Sequence, residues 1–130
     1  MSTVRQPAVA GLFYPADTRQ LAHDVQQLLA GARPNELIPK ALIVPHAGFI
    51  YSGAIAATAY ATLRAIATRI RRVVLLGPTH RVAVCGLALP GADAFDTPLG
   101  RVMLDTAAAR AIAHFPQISV STQAHAPEHS

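Results

Sequence analysis

An α/β fold follows from three features of this 130-residue chain. The short apolar runs Lys40–Val44 and Val73–Leu76 each break at a proline or a glycine and then deliver a histidine, His46 and His80. An alanine-rich stretch with helical spacing lies between them. Strand, turn, helix and strand in that order make a βαβ unit, with its strands parallel, adjacent and joined by a right-handed crossover. With 52% hydrophobic and 14% charged residues, the chain holds enough apolar side chain for one core, so it reads as a single globular domain over residues 1–130.

Taken in order, Arg5 to Asp17 (R-Q-P-A-V-A-G-L-F-Y-P-A-D) sets Pro7, Gly11 and Pro15 around Leu12, Phe13 and Tyr14, an extended lead-in laid across other elements. Asp17 caps the first helix, with Gln20 as the reciprocal partner of a capping box. Leu21, Val25, Leu28 and Leu29 form its apolar face up to Gly31, and His23 falls off that face into solvent. A polar connection, Ala32 to Pro39 with Pro34, feeds the first strand. Ser52 is the expected cap of the next helix, which places Ile55, Ala59, Leu63 and Ile66 inward and small alanines opposite. After His80, Val82 to Leu89 reads as a strand closed by Pro90-Gly91, and Asp93 to Gly100 as a turn-rich loop anchored by Phe95. A short strand at Val102–Leu104, a helix capped by Asp105 and running to about His114, and a strand at Ile118–Ser121 complete the elements.

Composition narrows the function. The net charge of +4 comes from scattered arginines whose one cluster, Arg69, Arg71 and Arg72, sits at a helix C-terminus and complements its dipole, so no nucleic-acid surface is expected. Cys85 is the single cysteine, which forbids an internal disulfide and fits a reducing cytoplasm. The N-terminus lacks the apolar core of a signal peptide. From Ala41 to Leu63 no Asp, Glu, Lys or Arg occurs, but Pro45, Gly48 and Gly53 interrupt the stretch and His46 would be stranded in lipid, so no membrane span is expected. No serine stands in a G-x-S-x-G elbow, and neither a P-loop nor G-x-G-x-x-G is present. Cys85 lies in an apolar run, where a buried thiol is inert unless it lines a crevice with histidines.

What remains is a pair of histidines. In open α/β sheets, ligands gather beyond the carboxyl ends of neighbouring strands, which is where His46 and His80 fall if their strands are adjacent. Gly48 and Gly77 beside them let the backbone turn tightly. Imidazole is the commonest transition-metal ligand, and two histidines with one carboxylate or thiolate make a minimal site. Either histidine alone is more often hydrogen-bonded scaffold. His125, Glu128 and His129 are further polar candidates, brought over the same crevice or left in a solvated terminus; pattern alone leaves both readings open.

At these residues the sequence resembles the Memo-like proteins, whose bacterial and archaeal members are component B of the AmmeMemoRadiSam system. The matching stretches are the R-Q-P-A-V-A-G-L-F-Y-P-A-D opening, P-H-A-G-F-I-Y-S-G, L-L-G-P-T-H, F-D-T-P-L-G with Val102 to Asp105, and the closing E-H-S. They span nearly the whole chain in the family's order, and P-H-A-G-[FY]-x-Y-x-G is the specific one.

The resemblance implies a three-layer α/β/α fold with a mostly parallel central sheet, like the B subunit of class III extradiol dioxygenases, and a pocket metal, iron(II) or copper. His46 and His80 match the family's metal-binding histidines, and His129 matches a further histidine of the same region, behind the ligands, in the role of an acid or base. Tyr51, Arg81 and His125 are the substrate-side candidates. The implied partner is a small aromatic substrate in a dioxygenase-type reaction or, in a non-enzymatic module, a phosphorylated peptide, for which Arg81 is suited; no catalytic reaction is established for the family. Members are about twice this length, and the third ligand, a cysteine or glutamate that is not Cys85, lies in their C-terminal half. The resemblance therefore implies an N-terminal half, with an unfinished sheet edge that an oligomer or the missing half completes, or else an inactive fragment.

Overall fold

The computed structural model describes residues 2–33 and 35–130; Met1, and Pro34 of the expected polar connection, lie outside the described residues. In chain order the elements are β1 (Val4–Arg5), α1 (Thr18–Gly31), α2 (Phe49–Tyr60), β2 (Leu87–Leu89), β3 (Ala94–Thr97), β4 (Gly100–Met103), α3 (Thr106–Ile112), β5 (Ile118–Val120) and α4 (Thr122–His125), with short 3-10 turns at Ala61–Leu63 and Ala67–Arg69. Helices and parallel strand pairs together place the fold in the α/β class, as expected. The chain divides into two compact units, one of residues up to Ala10 with Gly77–Ser130, the other Gly11–Leu76.

In the Gly11–Leu76 unit, α1 begins as expected. Asp17 accepts a hydrogen bond from the Gln20 backbone N–H at 2.8 Å, satisfying one of the helix's orphan donors. The reciprocal half of the box is replaced: Gln20 Nε2 donates instead to Asp24 Oδ1 one turn further on, at 2.7 Å. Leu21 is buried and His23 exposed.

The second helix differs from expectation at both ends. It starts at Phe49, with Gly48 at the N-cap and no side-chain cap bond. The lead-in supplies the missing acceptor, since the Phe49 N–H donates to the Phe13 carbonyl at 2.8 Å and the Tyr14 ring lies 5.7 Å from that of Phe49. Ser52 is therefore not the cap; its hydroxyl donates to the Ala47 carbonyl at 2.9 Å. The inward face differs in part: Ile66, beyond the helix end, is buried as expected. Ser52, Gly53 and Ala57 are buried, whereas Ile55 is 63% exposed. A Cβ on Gly53 would stand 3.0 Å from Leu28 Cδ1, so the small-residue face wins because only it lets α1 and α2 approach closely enough for dense contact.

The expected strands Lys40–Val44 and Val73–Leu76 are not formed among the described residues. Ile43 is fully exposed and Val73 to Leu76 stand largely in solvent. An apolar run becomes a strand only when a neighbour takes up its backbone N–H and C=O groups, and no described strand pairs with either run.

The other unit carries two sheets. One has the order β1-β3-β4, with β1 parallel to β3 (Val4 opposite Ala94, Arg5 opposite Phe95) and β3 antiparallel to β4. Asp93 to Gly100 is thus not a loop: Thr97 pairs with Gly100 across Pro98-Leu99, and Arg101 grips Asp96 through Nε at 2.6 Å and Nη2 at 3.0 Å. The second sheet pairs β2 with β5 in parallel, Leu87 opposite Ile118 and Leu89 opposite Val120. The strand expected over Val82 to Leu89 therefore narrows to its last three residues. Gly86 sets that start: its φ is +80°, and a Cβ there would lie 2.2 Å from the Gln117 carbonyl oxygen, which accepts from the Leu87 N–H at 2.8 Å. Asp105 caps α3 by accepting from the Ala108 N–H, as expected, although the helix stops at Ile112. Ala94 and Ala124 are the fully covered apolar positions of this unit. Among the described residues no helix is long and apolar enough to cross a membrane.

Candidate metal centre

The site is built in the unit that holds Gly77–Ser130, around a carboxylate. Glu128 is only 7% exposed, although it belongs to a segment that could have been left in solvent. Its Oε2 accepts the His80 backbone N–H at 2.6 Å and its Oε1 meets His80 Nδ1 at 2.6 Å. Oε1 also accepts from the backbone N–H groups of His129 at 2.9 Å and Ser130 at 3.3 Å. The His129 ring lies beside that of His80, centroids 4.2 Å apart and planes 31° from parallel, with His129 Nδ1 3.4 Å from Oε1. One buried acid thus holds two imidazoles together.

Sequence-distant groups fix the turn that carries it. Arg5, at the end of β1, donates through Nε to the His125 carbonyl at 2.7 Å and through Nη2 to the Glu128 carbonyl, while its guanidinium carbon sits 4.9 Å from the centre of the Phe95 ring. Ser121 caps α4 by accepting from the Ala124 N–H, and His125 Nε2 bonds to the Ala88 carbonyl of β2 at 2.8 Å. Both small sheets therefore contribute to placing Glu128 and His129. Gly77 allows the final closure: a Cβ there would meet Ser130 Oγ at 2.8 Å and its carbonyl carbon at 3.1 Å, and Ser130 Oγ donates to the Pro78 carbonyl at 2.7 Å. Gly48 needs no such licence, since its φ of −54° is open to any residue.

Burial pushes the Glu128 carboxyl up, but the hydrogen bonds from the His80 backbone and ring, and from the His129 and Ser130 backbones, outweigh it and hold the pKa at about 2, below the ordinary 4.5. A folded value below the unfolded one stabilises the folded state above about pH 4.5 and loses that contribution as pH falls towards 2. The stability of the parent, measured by denaturant unfolding across that window, is accordingly expected to fall more steeply with decreasing pH than that of a Glu128→Gln chain. Equal slopes would refute the assignment.

The remaining candidates are placed as follows. In the Gly11–Leu76 unit, His46 stands in the exposed segment before α2, where Ser52 fixes the adjoining Ala47 carbonyl, and Tyr51 is exposed in the first turn of α2. Arg81 is exposed in the turn after His80, and His125 borders an open cleft of about 300 Å³ lined also by Thr3, Gln6, Pro90 and Thr122. Cys85 is exposed, not buried as its apolar run suggested, because β2 begins only after Gly86. Arg5 was not anticipated as a site residue, and no local pattern marks it, since its partners lie 120 and 123 residues away.

A carboxylate on one ring nitrogen of a histidine, with a second imidazole beside it, is the arrangement found around metal-ligating histidines, where the acid fixes the ring and raises its basicity. The donor set fits a transition metal of intermediate softness.

Comparison with known proteins covers nearly the whole chain. The family model described as "Memo-like protein" matches residues 5–130. The chain is similar to a MEMO1 family protein of Aquifex aeolicus, 41% identical over 128 residues, covering 98% of this chain and 46% of the relative. A MEMO1 family protein of Pyrobaculum arsenaticum is 35% identical over 140 residues (98% of this chain, 48% of the relative), and a protein memo-1 homolog of Caenorhabditis elegans 38% over 101 residues (78% and 28%). The chain spans about half the length of the first two of these relatives.

Proposed function

The chain belongs to the Memo-like protein family, and we propose on that premise that it binds a redox-active transition metal, iron(II) or copper, through imidazole nitrogens. His46 and His80 each offer one such nitrogen, and His129 lies beside His80. The observation that carries this reading is the buried Glu128 carboxylate that fixes His80 against His129. When bound, the metal supplies Lewis-acid and one-electron chemistry of the dioxygenase type. The chain's own contribution is orientation: Glu128 holds the His80 ring, Arg5 holds the turn of Glu128, and His129 stands where a proton acceptor next to the ligand is needed. Tyr51, Arg81 and His125 belong to the substrate side of this proposal, with a small aromatic compound as substrate. Completion of the centre by a further donor from an oligomer or from the remainder of the family's length is part of the proposal, as is a cytoplasmic setting, for which the lone thiol speaks.

The test is elemental analysis after anaerobic loading with Fe(II) and, separately, copper. Near-stoichiometric metal is expected in the parent and in a His23→Ala chain, whose altered residue is an exposed position on α1. Uptake at background level in the parent would overturn the reading.

A further inference from the structure

We infer that Glu128 is a positioning residue that holds His80 in the tautomer protonated at Nδ1, so that Nε2 is the nitrogen presented to a metal; the second half of this rests on the metal-binding reading above. His80 stands in a stretch without helix or strand, so no regular backbone dictates where its ring points. Glu128 supplies that control by gripping one residue at two places: Oε2 takes the His80 backbone N–H and Oε1 takes the ring, each at 2.6 Å. A ring tied to its own backbone through a single carboxylate has its side-chain rotamer fixed as well as its protonation site.

The identity of the residue matters, because every backbone group around the carboxylate is a donor: the N–H groups of His80, His129 and Ser130. A carboxylate whose two oxygens already take three backbone N–H groups serves as an acceptor, so His80 Nδ1, 2.6 Å from Oε1, is the donor of that pair. Glutamine has the same length, yet whichever way its amide is turned the NH₂ confronts a donor. Turned to spare the Oε1 side, it loses the His80 backbone; turned the other way, it meets the N–H groups of His129 and Ser130 and offers a hydrogen to Nδ1, which favours the opposite tautomer. Aspartate is one methylene too short to reach both His80 contacts.

The experiment uses the full ¹⁵N-labelled chain, metal-free, at a pH well above the ordinary imidazole range, and reads the tautomer of His80 from long-range ¹H–¹⁵N correlations. The expected parent pattern is a protonated Nδ1 and an unprotonated Nε2. Glu128→Gln is expected to give mixed tautomers and an Fe(II) affinity lower by about 10–100-fold, the range for loss of a carboxylate behind a metal-ligating histidine. A parent ring protonated at Nε2 overturns the inference, and so does a Glu128→Gln chain that keeps both tautomer and affinity. The parent measurement needs no substituted chain, so a variant that fails to fold does not shield the idea. If the parent shows the Nδ1–H tautomer but takes up no metal, the function proposed above fails and the metal-directing half falls with it, while the positioning of the ring by Glu128 stands.

Discussion

His80→Ala lowers the chain's affinity for Fe(II) by more than about 100-fold, beyond the range that loss of a supporting carboxylate produces. The substitution removes a donor nitrogen and, with it, the ring that Glu128 grips through Oε1. The carboxylate is then left buried, still bonded to the backbone N–H groups of His80, His129 and Ser130, but with the His129 imidazole at 3.4 Å as the one ring still facing it among the described residues. His129 also loses the ring it packs beside at 4.2 Å. A titration of Fe(II) into parent and variant measures the difference, and circular dichroism confirms that the small sheets persist. Equal affinities would mean that metal, if bound, sits elsewhere on the chain.

Gly86→Ala destabilises the unit that contains it by about 2–5 kcal/mol, the sum of placing an L-residue in the left-handed region and of forcing a methyl into filled space. The φ of +80° sets the first cost and the 2.2 Å approach of a Cβ to the Gln117 carbonyl sets the second. Relief requires Gln117 to withdraw, which breaks the Leu87 N–H bond at the head of the β2–β5 pair. Because His125 hangs from Ala88 on β2, the damage is expected to reach the turn that carries Glu128. Denaturant unfolding of parent and variant measures the loss; a midpoint within error of the parent would show that the turn adjusts freely.

Local chemistry made part of the fold legible. Asp17 and Asp105 announce helix starts because a short acidic side chain beside a helical run has a single nearby use, and both cap as expected. The β5 run is likewise where its apolar pattern put it. Ser52 misled for the opposite reason: its hydroxyl is equally able to donate, and the lead-in strap had already supplied Phe49 with an acceptor from Phe13. The runs at Lys40–Val44 and Val73–Leu76 have the composition of buried strands, but composition states what a segment would do beside a partner, and no described strand stands there.

The site shows the same division. His80 was legible because a histidine after an apolar run and a Gly-Pro break is conspicuous. Glu128 and His129 were visible as polar candidates, yet whether they would fold back or drift in solvent depends on Arg5 reaching the His125 carbonyl across 120 residues of sequence. No periodicity encodes such a tie. It exists only once β1 has paired with β3 and β2 with β5.

The 48-residue separation between His80 and Glu128 also sets a schedule for the chain's birth. At a synthesis rate of roughly 5–20 residues per second, the histidine leaves the ribosome about 2–10 s before its carboxylate. During that interval the imidazole lacks the carboxylate that orients it, and Arg5, made before His80, waits longer still for the His125 and Glu128 carbonyls. Under the metal-binding proposal, faithful loading therefore waits until Glu128 has been made and has taken hold of the ring.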